Sequence, residues 1–172
     1  VTNDLNNNSY SYNYLLSPQG RYLYDFFVLK LFTDQLFIDI DSISAPSFLQ
    51  RLTLYKLRRE VEIKNLTSEY SVLYSKEQLK NKEGIIASNR DPRFSKLGFR
   101  TILKTSFINK LELTGNESYV HDKYAFTIPD GLNDLIADSS LVPQFGAEEL
   151  SAVSFSKGCY IGQEVISRAK YQ

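Results

Sequence analysis

The most informative stretch of this 172-residue chain is Lys157-Gly158-Cys159-Tyr160-Ile161-Gly162-Gln163-Glu164. It brings two glycines, a thiol, a cation and a carboxylate into one short segment. The two glycines permit positive φ angles or a close approach of another group to the backbone. The residues from Gln163 to Ala169 have helix-compatible spacing, with Glu164 and Arg168 one turn apart. The stretch therefore predicts a loop that enters a helix.

Cys159 is the only cysteine, and the residues alone leave two interpretations of it open. Free cysteine is among the most buried residue types, which favours a small side chain in the core. A thiol ahead of a helix start, with Lys157 nearby, would instead have its thiolate form favoured by the helix dipole and the cation. One cysteine cannot supply the ligands of a usual metal site, so we predict none. A cysteine–histidine pair is poorly supported, because His121 is the only histidine and lies in a charged stretch.

Composition narrows the class of protein. Hydrophobic residues make up 42% of the chain, which is ordinary for a globular protein, and no stretch approaches the roughly 20 apolar residues of a membrane span. Twenty basic and twenty acidic residues cancel, so we expect neither nucleic acid nor a membrane as a direct partner. With one cysteine and no recognisable leader, we expect an intracellular, cytoplasmic protein.

The first 41 residues predict an antiparallel meander. Apolar runs at 10–16 and 22–31 flank Ser17-Pro18-Gln19-Gly20, which has the proline and glycine positions that type I turns favour. At 36–41, Leu36, Ile38 and Ile40 alternate with Phe37 and two aspartates, as in a half-buried strand.

The rest of the chain predicts isolated helices between strands. Pro46, with Ser44 just ahead of it, indicates the start of a helix that runs to about Lys56. Further candidates are strands at 61–64, 70–74, 84–87 and 99–103, a loop at 88–93, a helix at 116–126 and a break at 128–131. Because there is no regular strand–helix repeat, we predict an α+β fold and not a doubly wound sheet.

Several motifs, taken in order, resemble the YgfZ family of folate-binding proteins. The run 157–164 matches the family's signature, in which a lysine, a glycine and a cysteine are followed by an aromatic residue and then Gly-Gln-Glu. The other matching segments are Thr2-Asn3-Asp4, Leu16-Ser17-Pro18-Gln19-Gly20-Arg21 with Asp25, Tyr55-Lys56-Leu57-Arg58, Asp91-Pro92-Arg93 with Leu97-Gly98-Phe99-Arg100, and Ile128-Pro129-Asp130-Gly131. The resemblance covers nearly the whole chain.

The resemblance implies a fold similar to that of the aminomethyltransferase of the glycine cleavage system. That fold has antiparallel sheets with helices, arranged as a ring of α+β units and a C-terminal β-barrel around a central folate site. Residues 1–172 would form one aminomethyltransferase-like, folate-binding region that lacks the first strand and helix of the fold and stops where the barrel begins. Any internal boundary stays open.

The resemblance also implies roles for particular residues. Cys159 matches the family's characteristic cysteine and is the implied functional thiol. Asp25 is the implied catalytic carboxylate, although Tyr24 occupies the place of its acidic partner in the aminomethyltransferases. The residues implied to bind the cofactor, tetrahydrofolate or a derivative, are Asn3, Asp4, Arg21, Arg93, Arg100, Lys157, Tyr160, Gln163, Glu164 and Arg168. The arginines suit the carboxylates of folate, and the alternative for several of these residues is a turn or a surface ion pair.

The function that the resemblance implies is that of a tetrahydrofolate-binding accessory protein. It would support assembly or repair of iron–sulfur clusters, and its partners would be iron–sulfur client or scaffold proteins. One alternative is a folate-dependent aminomethyltransferase that uses Asp25. Another is a folate-independent thiol-exchange protein, which requires an exposed Cys159 with a lowered pKa.

Overall fold

The computed structural model describes residues 2–5, 9–80 and 82–171. These residues divide into two compact units. The first takes its described residues from 1–40, 92–94 and 123–172, and the second from 41–91 and 95–122. The chain therefore passes between the units four times, which means that neither unit is a continuous segment.

The first unit contains a three-stranded antiparallel sheet in the order β1–β2–β3. Its strands are β1 (Tyr10–Leu16), β2 (Tyr22–Phe32) and β3 (Gln35–Asp39). The turn at 17–20 closes the first hairpin, with the Gly20 N–H donating to the Ser17 carbonyl at 2.9 Å. The predicted meander is confirmed.

The outer strand β3 differs from expectation in which face it buries. Leu36 and Ile38 are 51% and 40% exposed, whereas Phe37 and Asp39 are partly buried. The prediction that Leu36 and Ile38 face the core is therefore wrong. Alternation shows which side chains share a face of a strand, but it does not show which face the rest of the unit covers.

β1 is buried along almost its whole length, and a segment near the N-terminus is hydrogen-bonded to it. The Thr2 hydroxyl donates to the Ala152 carbonyl at 2.6 Å and accepts from the Tyr14 N–H at 2.8 Å. The Ser154 N–H donates a hydrogen bond to the carbonyl oxygen of Thr2 at 2.8 Å. Residues near the N-terminus thus join β1 to the segment at 151–154.

Two helices complete the first unit. α3 (Gly131–Asp134) is a single turn, and α4 (Gln163–Tyr171) carries the buried Ile166. A 3₁₀ segment at Val142–Phe145 lies between them in sequence. The predicted helix from position 163 is confirmed.

The second unit contains a sheet in the order β4–β6–β5, which is also antiparallel. Its strands are β4 (Tyr70–Ser75), β5 (Ile85–Arg90) and β6 (Phe99–Lys104), and its first helix is α1 (Ala45–Lys56). Proline in the first turn of α1 and the buried Phe48 agree with the predicted helix. The predicted helix at 116–126 is observed as α2 (Glu117–Ala125), which crosses the boundary between the units.

Two expectations in the second unit are wrong. Residues 61–64 form no strand, because a short alternating pattern does not supply a neighbouring strand with which to pair. Positions 88–90 belong to β5 and not to a loop, and Arg90 pairs with Phe99. The loop begins only at Asp91, where the N–H donates to the Gly98 carbonyl at 2.9 Å.

Antiparallel sheets with separate helices make an α+β arrangement, while the aminomethyltransferase-like assignment stays a prediction. Within the described residues, no helix combines the length and the apolar character that a membrane crossing requires.

Candidate functional site

The loop ahead of α4 exposes the thiol. Cys159 is exposed, and an added Cβ at Gly158 would meet no atom within 4 Å. The interpretation of Cys159 as a buried hydrophobic side chain is therefore wrong. We call residues 155–161 the Cys159 loop.

Lys157 anchors the Cys159 loop on one side. Its backbone N–H donates to the Ser154 hydroxyl at 3.1 Å, and its Nζ donates to the carbonyl of Asn3 at 3.2 Å. The same ammonium lies 5.6 Å from the centre of the Tyr160 ring. A cation over an aromatic face is attracted by the ring quadrupole, so Lys157 holds the loop at two points.

Tyr160 and Gln163 anchor the other side. The Tyr160 N–H donates to the Gln163 Oε1 at 3.3 Å, and the Gln163 N–H donates to the Tyr160 carbonyl at 3.2 Å. The Tyr160 hydroxyl is buried and has no hydrogen-bond partner among the described residues. Burial raises the pKa of Tyr160, so this side chain is a neutral donor at neutral pH.

Asn3 joins three segments of the first unit. Its side-chain amide donates to the Ser151 carbonyl at 2.6 Å, and its backbone N–H donates to the Asn13 Oδ1 at 3.1 Å. Its carbonyl accepts from Lys157. Asn3 therefore supports the Cys159 loop indirectly, and the neighbouring Asp4 donates its N–H to the Asn3 Oδ1 at 2.9 Å.

Asp25 lies in a separate group of aromatic side chains on β1 and β2. Its two oxygens accept hydrogen bonds from Tyr12 at 2.8 Å and from Tyr22 at 2.7 Å. Burial, followed by neighbouring charges and the bond to Asp25, raises the pKa of both tyrosines well above the usual value. Both phenols therefore stay protonated donors to a carboxylate.

Arg93 and Tyr14 extend this tyrosine group. The Arg93 guanidinium is buried and lies 5.3 Å from the Tyr12 ring centre and 4.8 Å from that of Phe27. The Tyr14 ring is fully buried, and its hydroxyl has no hydrogen-bond partner among the described residues. Burial raises the pKa of Tyr14 as well.

Other predicted residues are not part of either group. Arg21 donates to the Ser139 carbonyl at 2.5 Å, and Arg100 of the second unit donates to the Tyr119 hydroxyl at 3.3 Å. Glu164 and Arg168 form an exposed ion pair of 2.8 Å on α4. The structure thus brings together Lys157, Cys159, Tyr160 and Gln163 with Asn3, and it places Asp25 with Arg93.

A cleft of about 520 Å³ lies beside the Cys159 loop, in the first unit. Its walls carry hydroxyl, amide, carboxylate and aromatic groups. The lining residues are Asn3, Tyr10, Ser11, Pro92, Glu148, Ser151, Val153, Ser154, Phe155 and Ser156. Among the residues implied to bind folate, Asn3 lines this cleft. Within the described part of the chain, no group of three or more potential metal ligands lies together.

No family model matches the sequence. Curated relatives include the "Iron-sulfur cluster assembly factor IBA57 homolog, mitochondrial" of Mycosarcoma maydis, which is 28% identical over 91% of this chain and 41% of the relative. The corresponding mouse and human factors are each 28% identical, over 94% and 93% of this chain.

This chain is similar to iron–sulfur cluster assembly factors. It covers 50% of the mouse protein and 49% of the human protein, and so spans about half the length of the relatives it matches. The expectation of a cytoplasmic location is wrong, because these relatives are named as mitochondrial proteins. The comparisons support the iron–sulfur aspect of the implied function, while folate binding and the YgfZ assignment stay predictions.

Sequence reasoning missed the tyrosine group around Asp25. Tyr12 and Tyr14 alternate on β1 and lie in register opposite Phe27 and Asp25. Two tyrosines spaced by two residues, across a turn from an aspartate, were a signal for a shared strand face. Gly131 was recognised as part of a matching motif, but its place beside Asp25 was not predicted. A Cβ there would collide with the Asp25 carboxylate and lie 2.6 Å from the Tyr22 hydroxyl oxygen.

Proposed function

We propose that this chain is part of a mitochondrial accessory protein that supports assembly of iron–sulfur clusters in client proteins. The observation that carries the proposal is the exposed Cys159, presented on a loop that Lys157 and Gln163 hold from both sides. Similarity to assembly factors over more than nine-tenths of the chain supports the same function. The partners would be iron–sulfur client or scaffold proteins that approach the exposed face of the Cys159 loop.

The thiol is tested by Cys159→Ser and Cys159→Ala in cells that lack the protein. Because the side chain is exposed, we expect the melting temperature to stay within about 2 °C of the unmodified value. We expect the activity of a mitochondrial iron–sulfur enzyme to fall, while an enzyme without a cluster keeps its activity. Full iron–sulfur activity with both variants would overturn the role of the thiol.

We further propose that the complete protein binds tetrahydrofolate or a derivative. The support is the motif resemblance and the cleft beside the Cys159 loop, whose size lies within the range of about 300 to 1,000 Å³ typical of small-molecule sites. Its hydroxyl groups suit the polar edge of a pterin, and its aromatic walls suit the flat ring.

Calorimetric titration of the complete protein with tetrahydrofolate tests this second proposal. Ser156→Tyr would place a bulky side chain at the cleft, and Ser167→Tyr on α4 is the control outside it. We expect Ser156→Tyr alone to weaken binding. No heat at about 1 mM ligand would rule out useful folate affinity, and equal binding by both variants would exclude the cleft as the site.

Exposure of Cys159 also favours a second candidate, a thiol-exchange protein that needs no folate. A thiol-exchange protein requires a disulfide substrate, whereas the iron–sulfur accessory protein does not. Exchange of the Cys159 thiolate with a disulfide substrate forms a mixed disulfide on Cys159 and releases one substrate thiol. Stoichiometric release of that thiol, at a rate that Cys159→Ala abolishes and folate does not change, would favour thiol exchange.

A further inference from the structure

The turn of the first hairpin packs directly against the start of α4. Gly20 and Gly162 are the residues in contact, and both have positive φ angles, of 72° and 83°. A Cβ on Gly162 would lie 2.8 Å from the Ser17 carbonyl oxygen and 2.9 Å from the Gly20 Cα. Real Cβ atoms do not approach backbone atoms this closely. The hairpin turn and the start of α4, which are distant in sequence, therefore meet at a contact that leaves no room for a side chain.

The contact is equally tight from the other side. A Cβ on Gly20 would lie 2.9 Å from the Cβ of Val165 and 3.3 Å from the Gly162 carbonyl oxygen. The Val165 Cβ is fixed to the backbone of α4, so a rotamer change cannot move it away. Any side chain at position 20 must therefore displace the first turn of α4 or the hairpin turn itself.

A displacement of the first turn of α4 would also shift the Cys159 loop, because hydrogen bonds connect the two. The Gly162 carbonyl accepts the Ile166 N–H at 3.3 Å as α4 begins, and Gln163 is bonded to Tyr160 through two hydrogen bonds. Tyr160 follows Cys159 directly in the chain. The hairpin turn therefore supports the C-terminal end of the loop, while Lys157 holds the opposite end.

We propose that Gly20 is a positioning residue for Cys159 and acts through its contact with Gly162 and Val165. This inference rests on the proposed role of the thiol and adds that the hairpin turn fixes where the thiol is presented. It explains why the chain has glycine at two positions whose motifs lie near opposite ends of the sequence. Gly20 itself touches no reacting atom.

The rate at which Cys159 reacts with a disulfide reagent such as 5,5′-dithiobis(2-nitrobenzoate) tests the proposal. Cys159 is the only thiol of these 172 residues, so the whole signal of the purified chain comes from the loop. We expect Gly20→Ala to change the rate by at least about threefold. The matched control is Gly146→Ala, because Gly146 also has a positive φ, of 69°, but its Cβ would meet only Glu149 Oε2, at 3.6 Å.

A compensating substitution separates positioning from backbone strain. Val165→Gly removes the two closest atoms that a Cβ at position 20 would meet, Val165 Cβ and Cγ1, and leaves only the Gly162 carbonyl oxygen at 3.3 Å. The effect of Gly20→Ala on the thiol rate should therefore shrink in this background. Strain from the positive φ alone would be the same in both backgrounds. An equal rate change in the two backgrounds would therefore overturn the proposal, as would an equal effect of Gly146→Ala.

A milder variant keeps the test decisive if Gly20→Ala does not fold. Val165→Ala removes Cγ1, the atom that would lie 3.2 Å from a Cβ on Gly20, and so loosens the contact between the hairpin turn and α4. We expect this variant to raise the thiol rate about twofold, while Ser167→Ala should leave the rate unchanged. An unchanged rate in Val165→Ala would refute the positioning role. These rates are measured on the purified protein, so they do not depend on the iron–sulfur assay that tests the proposed function.

Discussion

The ammonium of Lys157 donates a hydrogen bond of 3.2 Å to the backbone carbonyl of Asn3, which lies 154 positions earlier in the chain. Asn3 in turn is bonded to β1 and to the segment at 151–154. The Cys159 loop therefore depends on residues near the N-terminus for its support.

Lys157→Met should weaken this support. Methionine keeps most of the apolar stem but loses the charged donor and the contact with the Tyr160 ring. We expect a loss of about 1 to 2 kcal/mol in the free energy of unfolding, measured in urea. Lys64→Met is the control, because Lys64 forms an exposed pair with Glu62 at 3.2 Å and should cost less than about 0.5 kcal/mol. Equal costs would show that Lys157 is an ordinary surface charge.

Gly131→Ala should destabilise the group around Asp25. The new methyl would collide with the carboxylate and lie 2.6 Å from the Tyr22 hydroxyl oxygen, so both side chains must move. Overpacking of this kind costs about 1 to 3 kcal/mol, which a urea titration would detect. Gly158→Ala is the matched control, because its methyl would enter open space. A stable Gly131→Ala protein would mean that Asp25 is not held over Gly131.

Two tyrosine substitutions on neighbouring strands should act in opposite directions. Tyr22→Phe removes a donor from the Asp25 carboxylate and should cost about 1 to 3 kcal/mol of folding free energy. Tyr14→Phe removes a buried hydroxyl that has no partner among the described residues, so it should be neutral or stabilising. Thermal melts of the two variants at equal protein concentration check both signs. A clear loss of stability in Tyr14→Phe would point to a partner for that hydroxyl.

The ion pair between Lys123 and Asp130 should make stability depend on acid pH. Burial works to raise the pKa of Asp130, but the hydrogen bond and charge of Lys123 at 2.5 Å outweigh it and hold the pKa below its usual value. Asp130 therefore stabilises the fold above its unfolded pKa, and this contribution is lost as pH falls through the lower folded pKa.

Lys123→Met reveals this contribution by difference. The gap in unfolding free energy between the unmodified protein and the variant should be widest near about pH 6 and should narrow towards about pH 2. Lys64→Met, whose partner Glu62 is exposed, should show no such trend. A gap that is constant with pH would mean that the charge of Asp130 does not contribute.

Much of the first unit could be predicted because local signals agreed with the tertiary structure. The turn residues at 17–20 and the flanking apolar runs fixed the first hairpin, and the glycine before Gln163 indicated the start of α4. At residues 61–64 the local pattern was similar, but no neighbouring strand pairs with it. Pairing is a property of distant parts of the chain, so a local alternation could not decide it.

The candidate site shows the same division between local and distant information. The motif around Cys159 predicted a loop before a helix, but exposure of the thiol depends on packing that no motif encodes. The contact between Gly20 and Gly162 was likewise not predictable, although both motifs were recognised separately. The tyrosines around Asp25 required the register of β1 and β2, which only the paired strands define.

The exposure of Cys159 also makes the chain suitable for element-specific spectroscopy. The sequence contains one cysteine and no methionine, so the chain holds a single sulfur atom, and that atom belongs to an exposed residue. X-ray absorption at the sulfur K-edge therefore reports on position 159 alone. When the added reagent contains no sulfur, any shift of the edge, whether from ionisation, oxidation or metal coordination, records a chemical change at this one side chain.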